Sequence, residues 1–253
     1  MAREATNMGG PNQRFETTEW TVLAQAQTDD ETKRREILDR VMSKYWKPVY
    51  CYLRRKGHSD ADAKDLTQGF LHEVVLGRDL IGQADRSRGR FRTLLLTALG
   101  NYARSAYRAT TAKKRNPPKP MFRLDVEDPD LALEATSGTQ PQDAFNYAWA
   151  SALLDRVLAQ VKHDCLSRGQ EVHWAVFAAH VLRPIMENTA APSLSELCAK
   201  LGVQEESTAS NMIVTVKRKF RSQMLRSIRD EVTSDMEVEQ ELQDLMDSLG
   251  ARL

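Results

Sequence analysis

Cysteine is scarce in this chain. The three present, Cys51, Cys165 and Cys198, are odd in number, widely spaced and without a CxxC pair. That argues against a disulfide framework or a cysteine-rich zinc site and fits a reducing compartment. No apolar run approaches 18 residues, and the first residues carry no apolar core of signal-peptide type. The expectation is a cytoplasmic protein with no membrane partner. A phosphate-cradling glycine loop, a nucleophile elbow and a His-Glu zinc signature are all missing. His163, Cys165 and His173 form the only close His/Cys group, and they straddle Gly169. A metal needs three or four converging ligands. The chain therefore reads as no enzyme, with no catalytic residue, no metal and no cofactor.

Net charge is nearly absent too, with 36 basic residues against 35 acidic, but the balance hides segregation. Arg86 to Leu124 holds eleven Lys/Arg and no acid, and Asp125 to Asp143 holds six acids and no base. Ser207 to Arg229 holds six bases and no acid, and Asp230 to Gly250 holds eight acids and no base. Blocks of alternating sign indicate separate electrostatic faces, and two basic blocks suggest two polyanion contacts.

Strand alternation bounded by turn signals is missing as well, so the expected fold class is all-α. The pattern divides the chain into a disordered leader (1–14), a first helical domain (15–115), an acidic, proline-containing flexible linker (116–143), a second helical domain (144–230) and an acidic extension (231–253). In the first domain, Phe15 to Gln27 reads as a short helix. Glu31 to Lys56 carries a wide apolar face with Pro48 inside it, which should kink it. Gly57 is a natural C-cap. Ser59 or Asp60 caps a helix running to about Val75. After a polar loop at 77–89, Phe91 to about Ala109 is helical, and its outer face is expected to offer Arg92, Asn101, Arg104 and Arg108. The prolines at 117, 118 and 120 stop that helix.

The second domain begins with helices over 145–165 and 172–186, separated by Gly169. Ser193 and Glu196 then form a capping box at the start of a short helix that Gly202 closes. A longer helix follows, from Glu205 to about Asp230. The last two have helix-turn-helix proportions, a unit that lays its second helix in the major groove of DNA. Ser210, Asn211 and Thr215 have the chemistry for base edges or phosphates, and Lys217, Arg218 and Arg221 for the backbone. A helical hairpin with a solvated basic face is the plainer alternative.

Two other surfaces admit two readings each. Helix 91–109 with Lys113-Lys114-Arg115 mixes bases with Tyr102 and Tyr107, as single-stranded DNA binding requires. It also fits a core Tyr102 with solvated arginines. Asp62, Asp65 and Gln68 share one side of helix 59–75, as a helix dipole favours or as a docking surface for a basic partner would need.

The order of these pieces resembles the sigma-70 family of RNA polymerase sigma factors, most closely the extracytoplasmic-function (ECF) group. Tyr45-Trp46-Lys47-Pro48-Val49-Tyr50, then Asp62-Ala63-Lys64-Asp65-Leu66-Thr67-Gln68, then Gly89-Arg90-Phe91-Arg92 through Asn101-Tyr102 are similar to region 2 of that group. Ser193 to Val203 and the basic helix after it resemble region 4. The Arg-Gly-Arg-Phe-Arg sequence and the acidic extension are similar to the large sets in planctomycetes. The resemblance covers roughly 15–115 and 144–230.

What it implies is a transcription initiation factor that binds core RNA polymerase and directs it to promoter DNA. Asp62, Asp65 and Gln68 would face the polymerase. Arg92, Asn101, Arg104, Tyr107 and Arg108 would lie along the −10 element and hold its melted strand. Ser210, Asn211, Thr215, Lys217, Arg218 and Arg221 would meet the −35 element. An anti-sigma factor is a further candidate partner. Three positions depart from the family pattern: Lys64 and Gly69 stand where Glu is usual, and Ser105 where Asp is usual. The rival readings are a helix-turn-helix regulator acting without core polymerase and a helical interaction protein. The acidic extension either folds over a basic face or is a solvated tail.

Overall fold

The computed structural model describes residues 31–76, 80, 91–112, 139–229 and 235–250. The expected leader, the helix at 15–27, nearly all of loop 77–89, Lys113-Lys114-Arg115 and the linker up to 138 lie outside the described residues. Among those described, every regular element is helical and none is a strand. No helix among them is long and apolar enough to cross a membrane.

Helix α1 spans Glu31–Arg55 and continues through Pro48 without a break. It buries Val41, Tyr45, Trp46, Val49, Tyr50 and Leu53, and each such side chain withdrawn from water contributes about 1.5–3 kcal/mol. Gly57, at φ +98°, takes the left-handed turn out of it. Helix α2 spans Asp60–Phe70, capped by the Ser59 hydroxyl, which accepts from the Asp62 backbone at 3.1 Å, and it runs on as a π segment over Leu71–Leu76. Helix α3 spans Phe91–Ala112.

Helix α4, Pro141–Ser167, starts three residues inside the expected linker. The Gln140 backbone N–H donates to the Asp143 carboxylate at 3.0 Å and fixes that start. Helix α5 (Glu171–Phe177) passes through a π segment, Ala178–Leu182, into α6 (Arg183–Glu187). Helices α7 (Leu194–Leu201) and α8 (Glu206–Arg229) follow, and α9 spans Asp235–Gly250.

α4 is the spine. Ala144, Phe145, Ala148, Trp149, Ala150, Leu153, Val157, Val161 and Cys165 are all buried along it, and apolar residues all round a helix mean partners all round. Its most extensive contact is with α1, where Tyr45 stacks on Phe145 with ring centroids 6.4 Å apart. α8 and α9 pack on it as well. Among the described residues, helices from both predicted domains share one core.

The acidic extension is not a solvated tail over 235–250. α9 buries Val238 and Leu245, two turns apart on one face, and packs on α4 and α8. It does not fold over the basic face of α8, since Lys217, Arg218 and Arg221 stay exposed.

Candidate nucleic-acid and partner surfaces

The α7–α8 pair is built by local chemistry. The Ser193 hydroxyl accepts from the Glu196 backbone at 3.2 Å, and the Ser193 N–H donates to the Glu196 carboxylate at 3.1 Å. That reciprocal pair satisfies the first free donors of α7. Gly202, at φ +68°, supplies the left-handed residue that ends α7 and turns the chain into α8. Leu197 and Cys198 of α7 are buried, as are Ala209, Ile213 and Val216 of α8, at steps of four and three.

Burying that face leaves the opposite one in solvent. Ser210, Asn211, Lys217, Arg218 and Arg221 are all exposed on α8. Thr215 is not their equal: it is half-buried, and its hydroxyl donates to the Asn211 carbonyl at 2.9 Å. Lys219, in the middle of the basic run, turns inward. Its ammonium donates to Gln170 at 2.7 Å and to Asp164 at 2.9 Å, with Cys165 Sγ at 3.9 Å. These bonds pin α8 to the α4–α5 junction and so set the attitude of the exposed face. The hydrogen bond from Lys219 holds the Asp164 carboxyl below its usual range, and burial pushes the Cys165 thiol up. Cys165 is thus part of this junction, while His163 is exposed.

On α3, Asn101 and Arg104 are exposed and joined, the Arg104 guanidinium donating to the Asn101 side chain and to the Gly100 carbonyl. Tyr102 is half-buried and tilted against Phe70, centroids 5.6 Å apart. The core alternative holds for it. The side chains of Tyr107 and Arg108 lie outside the described residues.

Arg92 does not lie on the outer face expected for it. Nine residues before Asn101, it stands roughly half a turn away around a helix of 3.6 residues per turn. It is 7% exposed. Its guanidinium lies 4.2 Å over the Trp149 ring, donates to Asn146 at 3.3 Å, and pairs with Glu241 at 3.1 Å and Asp244 at 3.8 Å. In this conformation those groups, and not a nucleic acid, hold its charge. Glu241, 1% exposed, is the partner that sequence reasoning missed. Its only signal was a charge facing the same way as Val238 and Leu245.

On α2, Asp62 and Asp65 are exposed and one turn apart, with Gln68 half-buried a turn further on. The Asp62 carboxylate accepts from the Ser59 hydroxyl at 2.7 Å. Asp60 is committed elsewhere: the Tyr50 hydroxyl donates to it at 2.6 Å, and Lys64 donates at 3.0 Å. The Tyr50 bond holds the Asp60 carboxyl low, while burial above all pushes Tyr50 up to about 12. Lys64, where the resembled family has Glu, therefore serves an intramolecular acid. Gly69 has a steric reason: a Cβ there would collide with the Tyr102 hydroxyl.

Comparison with family models, with curated proteins and with solved structures returns no match. The functional reading rests on the residues themselves.

Proposed function

We propose that the chain is a transcription initiation factor of sigma type, which binds core RNA polymerase and directs it to promoters. Asp62 and Asp65, with Gln68 beside them, dock on the polymerase. Asn101 and Arg104, with Tyr107 and Arg108 further along α3, hold the melted −10 strand. The outer face of α8 meets the −35 element, with Ser210 and Asn211 at the base edges and Lys217, Arg218 and Arg221 at the phosphates. Thr215 supports Asn211 from behind. The observation that carries this reading is the α8 face: three cations and two hydrogen-bonding side chains exposed on the second helix of the α7–α8 pair, as the recognition helix of a helix-turn-helix would present them. The order of the motifs supplies the polymerase.

A second reading is favoured by the shared core. The −35 and −10 elements are about 25 base pairs apart, roughly 85 Å at 3.4 Å per base pair. α4, the spine that holds both halves, has 27 residues and is about 40 Å long at 1.5 Å per residue. The sigma reading therefore requires α1 to leave α4 at the promoter, giving two lobes on a tether. A helix-turn-helix regulator that reads one duplex site without polymerase needs no such movement.

Gel filtration of the full chain with purified bacterial core polymerase separates these readings. A stoichiometric complex that Asp65→Ala abolishes is expected. No complex, together with tight duplex binding by the chain alone, establishes the regulator. Neither complex nor salt-steep DNA binding leaves a helical interaction protein.

A further inference from the structure

The exposed face of α8 contains a residue that its charges do not account for. Val214 is 60% exposed, and it stands in the centre of the polar stripe. Ser210 and Asn211 lie one turn before it, and Lys217 and Arg218 one turn after it; all four are exposed. The neighbouring Thr215 is turned inward onto the Asn211 carbonyl, so the isopropyl group, and not the threonine hydroxyl, is what this turn of the helix presents.

We propose that Val214 reads the C5-methyl group of a thymine in the major groove. The claim rests on the reading of α8 as the duplex-contacting helix. The cations that flank Val214 suit a polyanion, and a duplex with phosphates at Lys217 and Arg218 places this turn of α8 over base edges. Of the groups on the major-groove edge, the thymine methyl is the apolar one, and an apolar side chain is its complement. The isopropyl group is also pre-set. Valine in a helix keeps essentially one χ1 rotamer, so seating it costs little side-chain freedom.

Two consequences follow from the chemistry. Replacing that thymine by deoxyuridine removes one methyl group and weakens binding about fourfold, the value of one buried carbon. Val214→Ala binds the thymine duplex about as weakly as the native chain binds the deoxyuridine one, and it no longer tells them apart. The number of phosphates neutralised is unchanged, so the slope of log affinity against log salt stays the same.

The test selects duplexes from a random library with the full chain, alone and with core polymerase. It then replaces each thymine of the selected sequence by deoxyuridine in turn and measures the affinity of the native chain and of Val214→Ala. One thymine whose methyl matters to the native chain and not to Val214→Ala is the expected result. Selected duplexes for which no methyl matters, or for which Val214→Ala keeps the same discrimination, overturn the proposal and leave the duplex reading of α8 standing. Loss of polymerase binding by Val214→Ala with DNA affinity unchanged overturns it in favour of a protein pocket. A selection that enriches no sequence removes the reading of α8 on which the proposal rests.

Discussion

Gly69 and Tyr102 show how a single residue can look wrong until its neighbour is known. Glycine inside a helix costs about 1 kcal/mol against alanine, and nothing in the local sequence around Gly69 explains the choice. The Tyr102 hydroxyl, held over it by the packing of its ring on Phe70, does. Gly69→Ala should therefore lose about 1 kcal/mol in urea melts, an overpacking cost of about 2 kcal/mol less the helix propensity gained. In a Tyr102→Phe background the same change should stabilise, because the clash is gone and helix propensity remains. Lys219 is a second residue whose role its position alone does not give. It sits in a basic run but serves Asp164. A carboxyl whose folded pKa is depressed adds stability above its unfolded pKa and loses it as pH falls through the folded value. The difference in melting stability between the native chain and Lys219→Met should thus be full at neutral pH and shrink below the usual carboxylate range. A difference independent of pH would deny the pairing. Arg92 and Asn101 are nine residues apart, half a turn around the helix, so the expectation that both share one outer face conflicts with their spacing.

At the scale of elements, helices α1 to α8 were largely readable because period, caps and breakers agreed. The Ser193–Glu196 box and Gly202 are local signals, and local signals survive folding. Ser193→Ala should lower stability by about 1 kcal/mol without altering which face of α8 is exposed. Within α8 the division of labour is testable by salt. Lys217→Ala, Arg218→Ala and Arg221→Ala should each reduce the slope of log affinity against log salt by about 0.9. Lys219→Ala should leave the slope alone and lower stability, since its charge is spent within the protein. What the sequence did not reveal on α8 was which of Val214 and Thr215 faces out. Adjacent residues differ by only 100°, and the register was fixed by Ala209, Ile213 and Val216 packing inward.

At the scale of the whole molecule, the shared core was the least legible feature. Its signal was present in the first turns of α4, where Ala144, Phe145, Ala148, Trp149 and Ala150 spread buried apolar groups over more than one face. A helix with apolar groups on several faces needs several partners, and α1 from the other half of the chain is one of them. α9 closes the same assembly through the Arg92–Glu241 pair, whose side chains are 8% and 2% exposed. Glu241→Gln leaves the buried guanidinium with Asp244 as its remaining carboxylate and should cost about 1.5–3 kcal/mol, whereas Arg92→Met with Glu241→Leu should cost less. Neither change should raise the DNA affinity of α8, because α9 covers none of its outward cations.

The most direct measurement of the central claim is run-off transcription with purified bacterial core polymerase over fragments of the source genome, with and without the full chain. The account predicts promoter-specific transcripts that vanish with Asp65→Ala, an exposed position whose loss should leave the fold intact. Transcripts independent of the added chain, or none at all while the chain alone binds duplex tightly, would contradict it.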